Sequence, residues 1–215
     1  MYLPSTTSLR SSRLNLRHAL LLGSDQQAGR LKALTESTAN FFMKAPDNNV
    51  LEFALSRKVV LVEGDAEFIL IEEMYKQATD GSTPQADGVH IISIGGTSFK
   101  RYLELGKLLG IKVAAIRDND GNHQQHCVDN YEGCLYDQAR IFADPDNNRS
   151  TFEIGLYQDN QAICDALFGG TRKTLTVQEY MLKNKADAAF ELLTQMAAEL
   201  VTPQYIQDAI AWIRE

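Results

Sequence analysis

The chain has 215 residues, 44% of them apolar, enough for one compact domain with an appendage and a real hydrophobic core. Its three cysteines, Cys127, Cys134 and Cys164, accompany no apolar signal segment, which argues against a disulfide framework and for a cytoplasmic protein; no run approaches the roughly 18 apolar residues of a membrane span. A net charge of -7 and a pI near 5.2 argue against a passive nucleic-acid binder and leave an acidic metal site or a solvated acidic surface.

In chain order, residues 26–45 read as helical and 49–57 as a second short helix. From Lys58 onward, short β-branched runs alternate with amphipathic segments. Lys58–Val62 is a predicted strand, Asp65–Ala78 a helix, 89–94 a strand, Phe99–Leu109 a helix and 111–117 a third strand, while 139–143 could extend the sheet. This rhythm predicts an α/β fold with a parallel sheet flanked by helices, whose ligands bind beyond the carboxyl ends of the strands. Residues 80–87, with Gly81, Ser82, Thr83 and Pro84, read as a surface connection. Beyond the strands the chain is predicted helical at 152–157, 161–167, Val177–Lys183, 186–200 and 203–214, with Pro203 suited to the first turn of the last helix. Tyr205 and Trp212 read as core. No internal repeat is present.

Charge is uneven. Between Asp118 and Phe168 ten acidic side chains face two basic ones, Arg140 and Arg149; between Gly169 and Lys185 the balance reverses, with Arg172, Lys173, Lys183 and Lys185 against Glu179. The first predicted strand ends in Glu63-Gly64, at a turn read as one that Gly64 permits, and Glu67 lies in the first turn of the next helix, so Glu63 and Glu67 can face one ion. An acid there also simply complements the helix dipole. Asp118 and Asp120, two apart on an extended segment, are expected to point the same way and to repel unless a cation neutralises them; a loop that tolerates acids is the alternative. Glu153 is a further ligand candidate or a helix-start acid, and Asp144 and Asp146 are weaker ones in an Asp-Pro-Asp-Asn turn. Ser98 and Lys100, after a Gly-Gly turn, are either phosphate contacts or a helix cap. His123, His126, Cys127 and Cys134 could ligate zinc, but their spacing is irregular and a mobile loop beside the site is the plainer reading.

Three segments, Val62-Glu63-Gly64-Asp65-Ala66-Glu67, Ile94-Gly95-Gly96-Thr97-Ser98-Phe99-Lys100-Arg101-Tyr102-Leu103 and Ile111-Lys112-Val113-Ala114-Ala115-Ile116-Arg117-Asp118-Asn119-Asp120, resemble the Toprim domain of OLD-family (overcoming lysogenization defect) ATP-dependent nucleases. Ser150-Thr151-Phe152-Glu153 resembles the family's threonine-glutamate motif, and Met181-Leu182-Lys183-Asn184-Lys185-Ala186-Asp187-Ala188-Ala189 its lysine-bearing helix. The resemblance spans roughly residues 58–200. It implies a Toprim-type, Rossmann-like sheet with a C-terminal helical segment, and a DNA endonuclease using two magnesium or manganese ions. Glu63, Glu67, Asp118, Asp120 and Glu153 would be ligands, Glu63, Asp118 and Lys185 the catalytic centre, and Lys185 would face the scissile phosphate. The implied division is an ATPase remnant and linker at 1–57, the Toprim core at 58–148 and a helical extension at 149–215.

Residues 5–22 resemble the end of the ABC-type ATPase that precedes Toprim in this family, with Thr6-Thr7-Ser8 where a threonine-histidine-serine switch is usual. No phosphate loop ending in Gly-Lys-Ser/Thr occurs, so this chain is expected not to hydrolyse ATP and to act with an ATPase domain or subunit, through which a homo-oligomer would form. DNA is the expected partner and phage defence or DNA processing the expected setting. The rival readings are a primase-like or RNA-maturing Toprim enzyme, or a non-catalytic dimerisation or docking fragment.

Overall fold

A computed structural model describes residues 16–18, 31–44, 49–170 and 174–215. The basic pair Arg172 and Lys173 and the Thr6-Thr7-Ser8 segment lie outside the described residues. Four strands, β1 (Lys58–Val62), β2 (Val89–Ser93), β3 (Lys112–Ile116) and β4 (Ala139–Phe142), form one fully parallel sheet in the order β2-β1-β3-β4. The helices are α1 (Glu36–Lys44), α2 (Val50–Leu55), α3 (Asp65–Ala78), α4 (Phe99–Leu109), α5 (Phe152–Asp159), α6 (Gln161–Phe168), α7 (Val177–Lys183), α8 (Lys185–Met196) and α9 (Gln204–Arg214). Among the described residues no helix is long and apolar enough to cross a membrane.

The strand sequences explain the sheet. β1 reads Lys-Val-Val-Leu-Val and its last four residues are buried, as in β3, because a central parallel strand is covered on both faces. β2, at the edge, is less covered, with Val89 and Ile92 buried and His90 exposed. The chain moves one way from β1 to β2 through α3, then back across β1 to β3 through α4. Right-handed crossovers in opposite directions put those two helices on opposite faces.

Each face builds its own half of the core. Val60, Val62, Ala114 and Ile116 point to the side covered by α3, α8 and α9, against Leu70, Met74, Leu192 and Ile210. Their neighbours Val59, Leu61, Val113 and Ala115 point to the side of α1, α2 and α4. There Tyr102 packs edge-on against Phe42 and Phe53 at centroid distances of 5.1 and 5.2 Å. Gly106 of α4 meets Tyr136, Val113 and Phe53 so closely that a Cβ would lie 2.5 Å from the Tyr136 hydroxyl.

At the amino end of the sheet, Lys58 donates to the carbonyl of Arg214 (2.9 Å) and Lys112 to that of Trp212 (2.6 Å), closing the last turn of α9. The Trp212 ring contacts both Lys112 Nζ, 4.6 Å from its centroid, and the Arg140 guanidinium, at 5.1 Å. Trp212 and Tyr205 are both buried core residues.

The structure departs from the sequence reading at several elements. Within 26–45 the described residues form a 3-10 turn at Leu31–Ala33 and then α1, not one continuous helix. The expected helix 186–200 ends at Met196 and tightens into a 3-10 turn at Ala197–Glu199. Pro203 stands at the N-cap of α9 with ψ 143°, just outside the first turn. The loop carrying His123, His126 and Cys127 is wound into a π-helical turn at Gln124–Val128 and a 3-10 turn at Asp129–Tyr131.

Candidate active site

β1 and β3 are adjacent, yet their flanking crossover helices lie on opposite faces, so the crevice beyond their carboxyl ends is a topological switch point. Val62 and Ile116 are register partners, so the two strands end flush. Glu63 and Asp118 therefore meet, and the Asp118 amide donates to Glu63 Oε2 at 3.4 Å.

Gly64 has φ -136° and ψ -175°, extended backbone open to any residue, which corrects the reading of this glycine as a conformational need. Space is what it supplies: a Cβ there would sit 3.1 Å from Glu67 Oε2. The carboxylate of Glu67 thus folds back over the β1–α3 turn from the first turn of α3, where it is 5% exposed.

The segment after β3 is held by a dense polar set. Arg117 is buried and donates to the carbonyl of Asp118 (2.8 Å), to the Tyr131 hydroxyl (3.1 Å) and to Asp120 Oδ2 (2.7 Å). Asp118 Oδ1 accepts the Phe152 amide at 2.7 Å, which ties the rim to the start of α5. Asn119 is wholly buried; its Nδ2 reaches the carbonyls of Asp144 (2.8 Å), Asp146 (2.9 Å) and Arg149 (3.2 Å), and its Oδ1 accepts from Gly121 N (2.8 Å). One side chain therefore fixes the whole 144–149 loop. Arg149 completes it, bridging Asp144 at 2.5 Å and Asp159 through two bonds of 2.8 and 2.5 Å. Asp144 is thereby engaged with Arg149, and Asp146 Oδ1 accepts from the Asn148 amide at 2.9 Å.

Asp120 does not point the way Asp118 does. Its φ is +50°, its amide is bound to the Ser150 carbonyl at 3.0 Å, and its side chain is exposed and paired with Arg117. The expectation of two same-facing aspartates is corrected here, because the left-handed turn rotates Asp120 outward.

Glu153 and Lys185 close the rim from the helical part. Thr151 caps α5 by accepting from Ile154 N, so Glu153 falls in the first turn, 3% exposed. Lys185 opens α8 and brings Nζ to 3.0 Å from Glu153 Oε2. That approach is off the hydrogen-bonding direction. Glu153 Oε2 is, among the described residues, a buried side-chain oxygen with no hydrogen-bond partner.

The electrostatics follow from burial and crowding. Burial, then the charges of Glu67, Glu153 and Glu63, pushes Asp118 up to about 8, against the pull of the Phe152 amide. Burial raises Glu67 to about 7, with Glu153 and Glu63 adding to it and its backbone hydrogen bond and Lys185 opposing. Glu63 is also raised by burial, with Arg117 and the Asp118 amide opposing. Burial works against the Lys185 ammonium, but the carboxylates of Glu153, Asp118 and Glu67 outweigh it and raise its pKa. The Cys127 thiol, 3.8 Å from the Asp118 carbonyl, is pushed up to about 11 by burial, so it is no thiolate nucleophile at neutral pH.

The structure thus gathers Glu63, Glu67, Asp118 and Glu153 around the Lys185 ammonium and leaves Asp120 on the outer edge. No three of the histidine, cysteine, aspartate or glutamate side chains among the described residues form a finished cation cage. The donor set nonetheless fits a hard divalent ion: its oxygens are carboxylate oxygens, one of them ion-paired but without a hydrogen bond among the described residues, and magnesium keeps several waters and needs few protein ligands. Ser98 stands at the N-cap of α4 without a side-chain capping bond, and Lys100 is exposed in its first turn. Arg117, Asn119 and Arg149 went unassigned in the sequence. The signal available for Asn119 was its place between two aspartates, a small amide that can fold onto nearby backbone.

Residues 55–120 match the family model of the overcoming lysogenization defect protein-like TOPRIM domain. Among solved structures, the C-terminal region of the Burkholderia pseudomallei OLD protein superposes with a TM-score of 0.58 at 21% identity, over 74% of this chain and 98% of that one. The C-terminal region of the Xanthomonas campestris pv. campestris OLD protein superposes at 0.52 and 22% identity, over 74% and 95%. These are likenesses of fold. Comparison with curated proteins found no match.

Proposed function

We propose, from the OLD-like TOPRIM domain at residues 55–120, that this chain is the nuclease part of an ATPase-nuclease and hydrolyses DNA phosphodiester bonds with two magnesium or manganese ions. The observation that carries the reading is four carboxylates from three separate segments, Glu63, Glu67, Asp118 and Glu153, crowded at the switch point around one ammonium. Glu63, Glu67, Asp118 and Glu153 would hold the ions, which when bound supply an activated water and neutralise the leaving oxygen, and Asp120 would join them by exchanging its pairing with Arg117 for an ion.

The chain's own residues do the rest. The Phe152 amide and the Asn119 tethers keep Asp118 from drifting, so little reorganisation is left for the reacting state. Lys185, half-exposed and held charged, offers a fixed positive charge to a phosphate at the rim, where charge develops on the non-bridging oxygens. Arg117 sets the angle of Asp120 and neutralises part of the acid cluster. An ATPase domain or subunit of the same system would supply grip on DNA, in phage defence or DNA processing.

A plasmid-cutting assay with magnesium or manganese tests this. Wild type is expected to nick or linearise the plasmid and Asp118→Ala to leave it supercoiled. Equal cutting by both, or no cutting by wild type with either metal, overturns the reading; primer synthesis from nucleotides would replace it with a primase.

A further inference from the structure

Beside the carboxylate rim lies a cleft of about 510 Å³ that the chemistry above does not use. Thr97, Ser98 and, from α4, Lys100, Arg101 and Lys107 line it, with Glu104 as the one carboxylate of the lining. Glu104 is engaged elsewhere: its oxygens accept the Thr35 amide at 2.6 Å and the hydroxyls of Thr35 and Thr38 at 3.0 and 2.5 Å. Among the described residues Arg101 donates to the uncharged Ser37 and Thr38, at 2.7 and 2.9 Å. Lys100 and Lys107 are exposed and make no ion pair with any described residue. In a chain of net charge -7, three cations on one cleft without a carboxylate partner among the described residues are a local reversal of sign.

The cleft is joined to the rim by a single ring. Lys100 Nζ and the Arg117 guanidinium each lie 5.8 Å from the centroid of Tyr131, so they are no more than about 12 Å apart. Arg117 is the residue that holds Asp118 and Asp120. The Gly95-Gly96 turn that leads into the cleft is bound directly to the rim, Gly96 N donating to the Glu63 carbonyl at 2.9 Å, with φ +128° at Gly96. At about 3.4 Å of rise per nucleotide along one strand, about 12 Å is three nucleotides or slightly more.

We propose that this cleft is a polynucleotide phosphate subsite, in which Lys100 holds the backbone within about three nucleotides of the rim and Lys107, about two turns farther along α4, holds it beyond that point. Tyr131 then forms the step between the two, its ring shared by a cation from each. The position along the strand rests on the nuclease reading; the binding does not. These contacts are to phosphate, so they set register and carry no sequence information.

The test is equilibrium binding in EDTA of a fluorescent duplex of about 30 base pairs, titrated at several salt concentrations, for wild type and the Lys100→Ala/Lys107→Ala double variant. Each lost phosphate contact removes about 0.9 from the salt slope on B-DNA, so the slope is expected to fall by about 2 and affinity by roughly tenfold, equally on unrelated sequences. Lys100→Arg/Lys107→Arg should restore both. Lys76, already between Glu72 and Glu73 at 3.3 and 3.6 Å, serves as the control position, and its alanine variant should keep the wild-type slope. A double variant with wild-type slope and affinity overturns the proposal, as does a wild type that fails to bind the duplex at low salt. If the slope falls as expected while wild type never cuts with metal, the subsite stands and the nuclease reading falls.

Discussion

Replacing Asp118 with asparagine should stabilise the metal-free protein. The Asn Oδ1 can still accept the Phe152 amide that Asp118 accepts at 2.7 Å, so the geometry is kept and only the charge is lost. Asp118 rises from an ordinary 3.8 to about 8, through burial first and then the charges of Glu67, Glu153 and Glu63. Its folded pKa lies above its unfolded one, so the native state binds more protons than the unfolded state across that window. Stability is therefore lost as pH climbs from about 4 towards 8. At pH 7 the full difference is at most about 4 kcal/mol at about 1.4 kcal/mol per unit. Partial solvent contact and protons shared with Glu63 and Glu67 bring the share of Asp118 to about 2 kcal/mol. In a domain of this size that is a rise of about 4–8 °C in melting temperature at neutral pH, shrinking to nothing near pH 4. Thermal melts from pH 4 to 8.5 in EDTA read it directly, and manganese should then raise the wild-type midpoint more than that of the variant. Parallel melting curves over the whole range, or a less stable variant at pH 7, would refute the reasoning.

Asn119→Ala should cost about 3 kcal/mol in a denaturant titration, because it leaves three loop carbonyls and the Gly121 amide without their partner. Glu63→Ala and Lys185→Ala should each abolish metal-dependent plasmid cutting while retaining a cooperative melt; wild-type cutting by either would remove that residue from the catalytic set. Gly64→Ala should reduce cutting with little loss of stability, since its methyl would meet Glu67 Oε2 at 3.1 Å and displace that carboxylate while the backbone stays relaxed. Unchanged rates over a metal titration would show that Glu67 does not work from that position.

The strands were legible because a parallel sheet covered on both faces demands an uninterrupted apolar run, and Val59–Val62 supplies it. Once β1 and β3 were placed, Glu63 and Asp118 had to fall at the same rim, and Glu67 followed from one helical turn. Asp120 escaped this logic. Its left-handed backbone is set by Arg117 and the Ser150 carbonyl, and the second of these is 30 residues away. Asn119 escaped for the same reason, its partners lying on a loop that only the tertiary fold brings near, while Arg149 reaches acids five and ten residues away whose pairing depends on the turn between them. The break between Leu31–Ala33 and α1 was hidden because its stabilising contacts run to Glu104 on α4, far along the chain.

The lysines that grip the last turn of α9 sit at the opposite end of the same strands from the acids. Lys58 and Lys112 begin β1 and β3, and Glu63 and Asp118 follow where those strands finish. Cations there meet the negative end of a helix dipole and hold the sheet together, while anions at the far end strain against one another. The molecule is thus an electrical rod, with its fastening at one pole and its chemistry at the other. Energetic changes made at the two poles should simply add, so the fastening can be strengthened to tolerate harsher alterations of the acids without touching them.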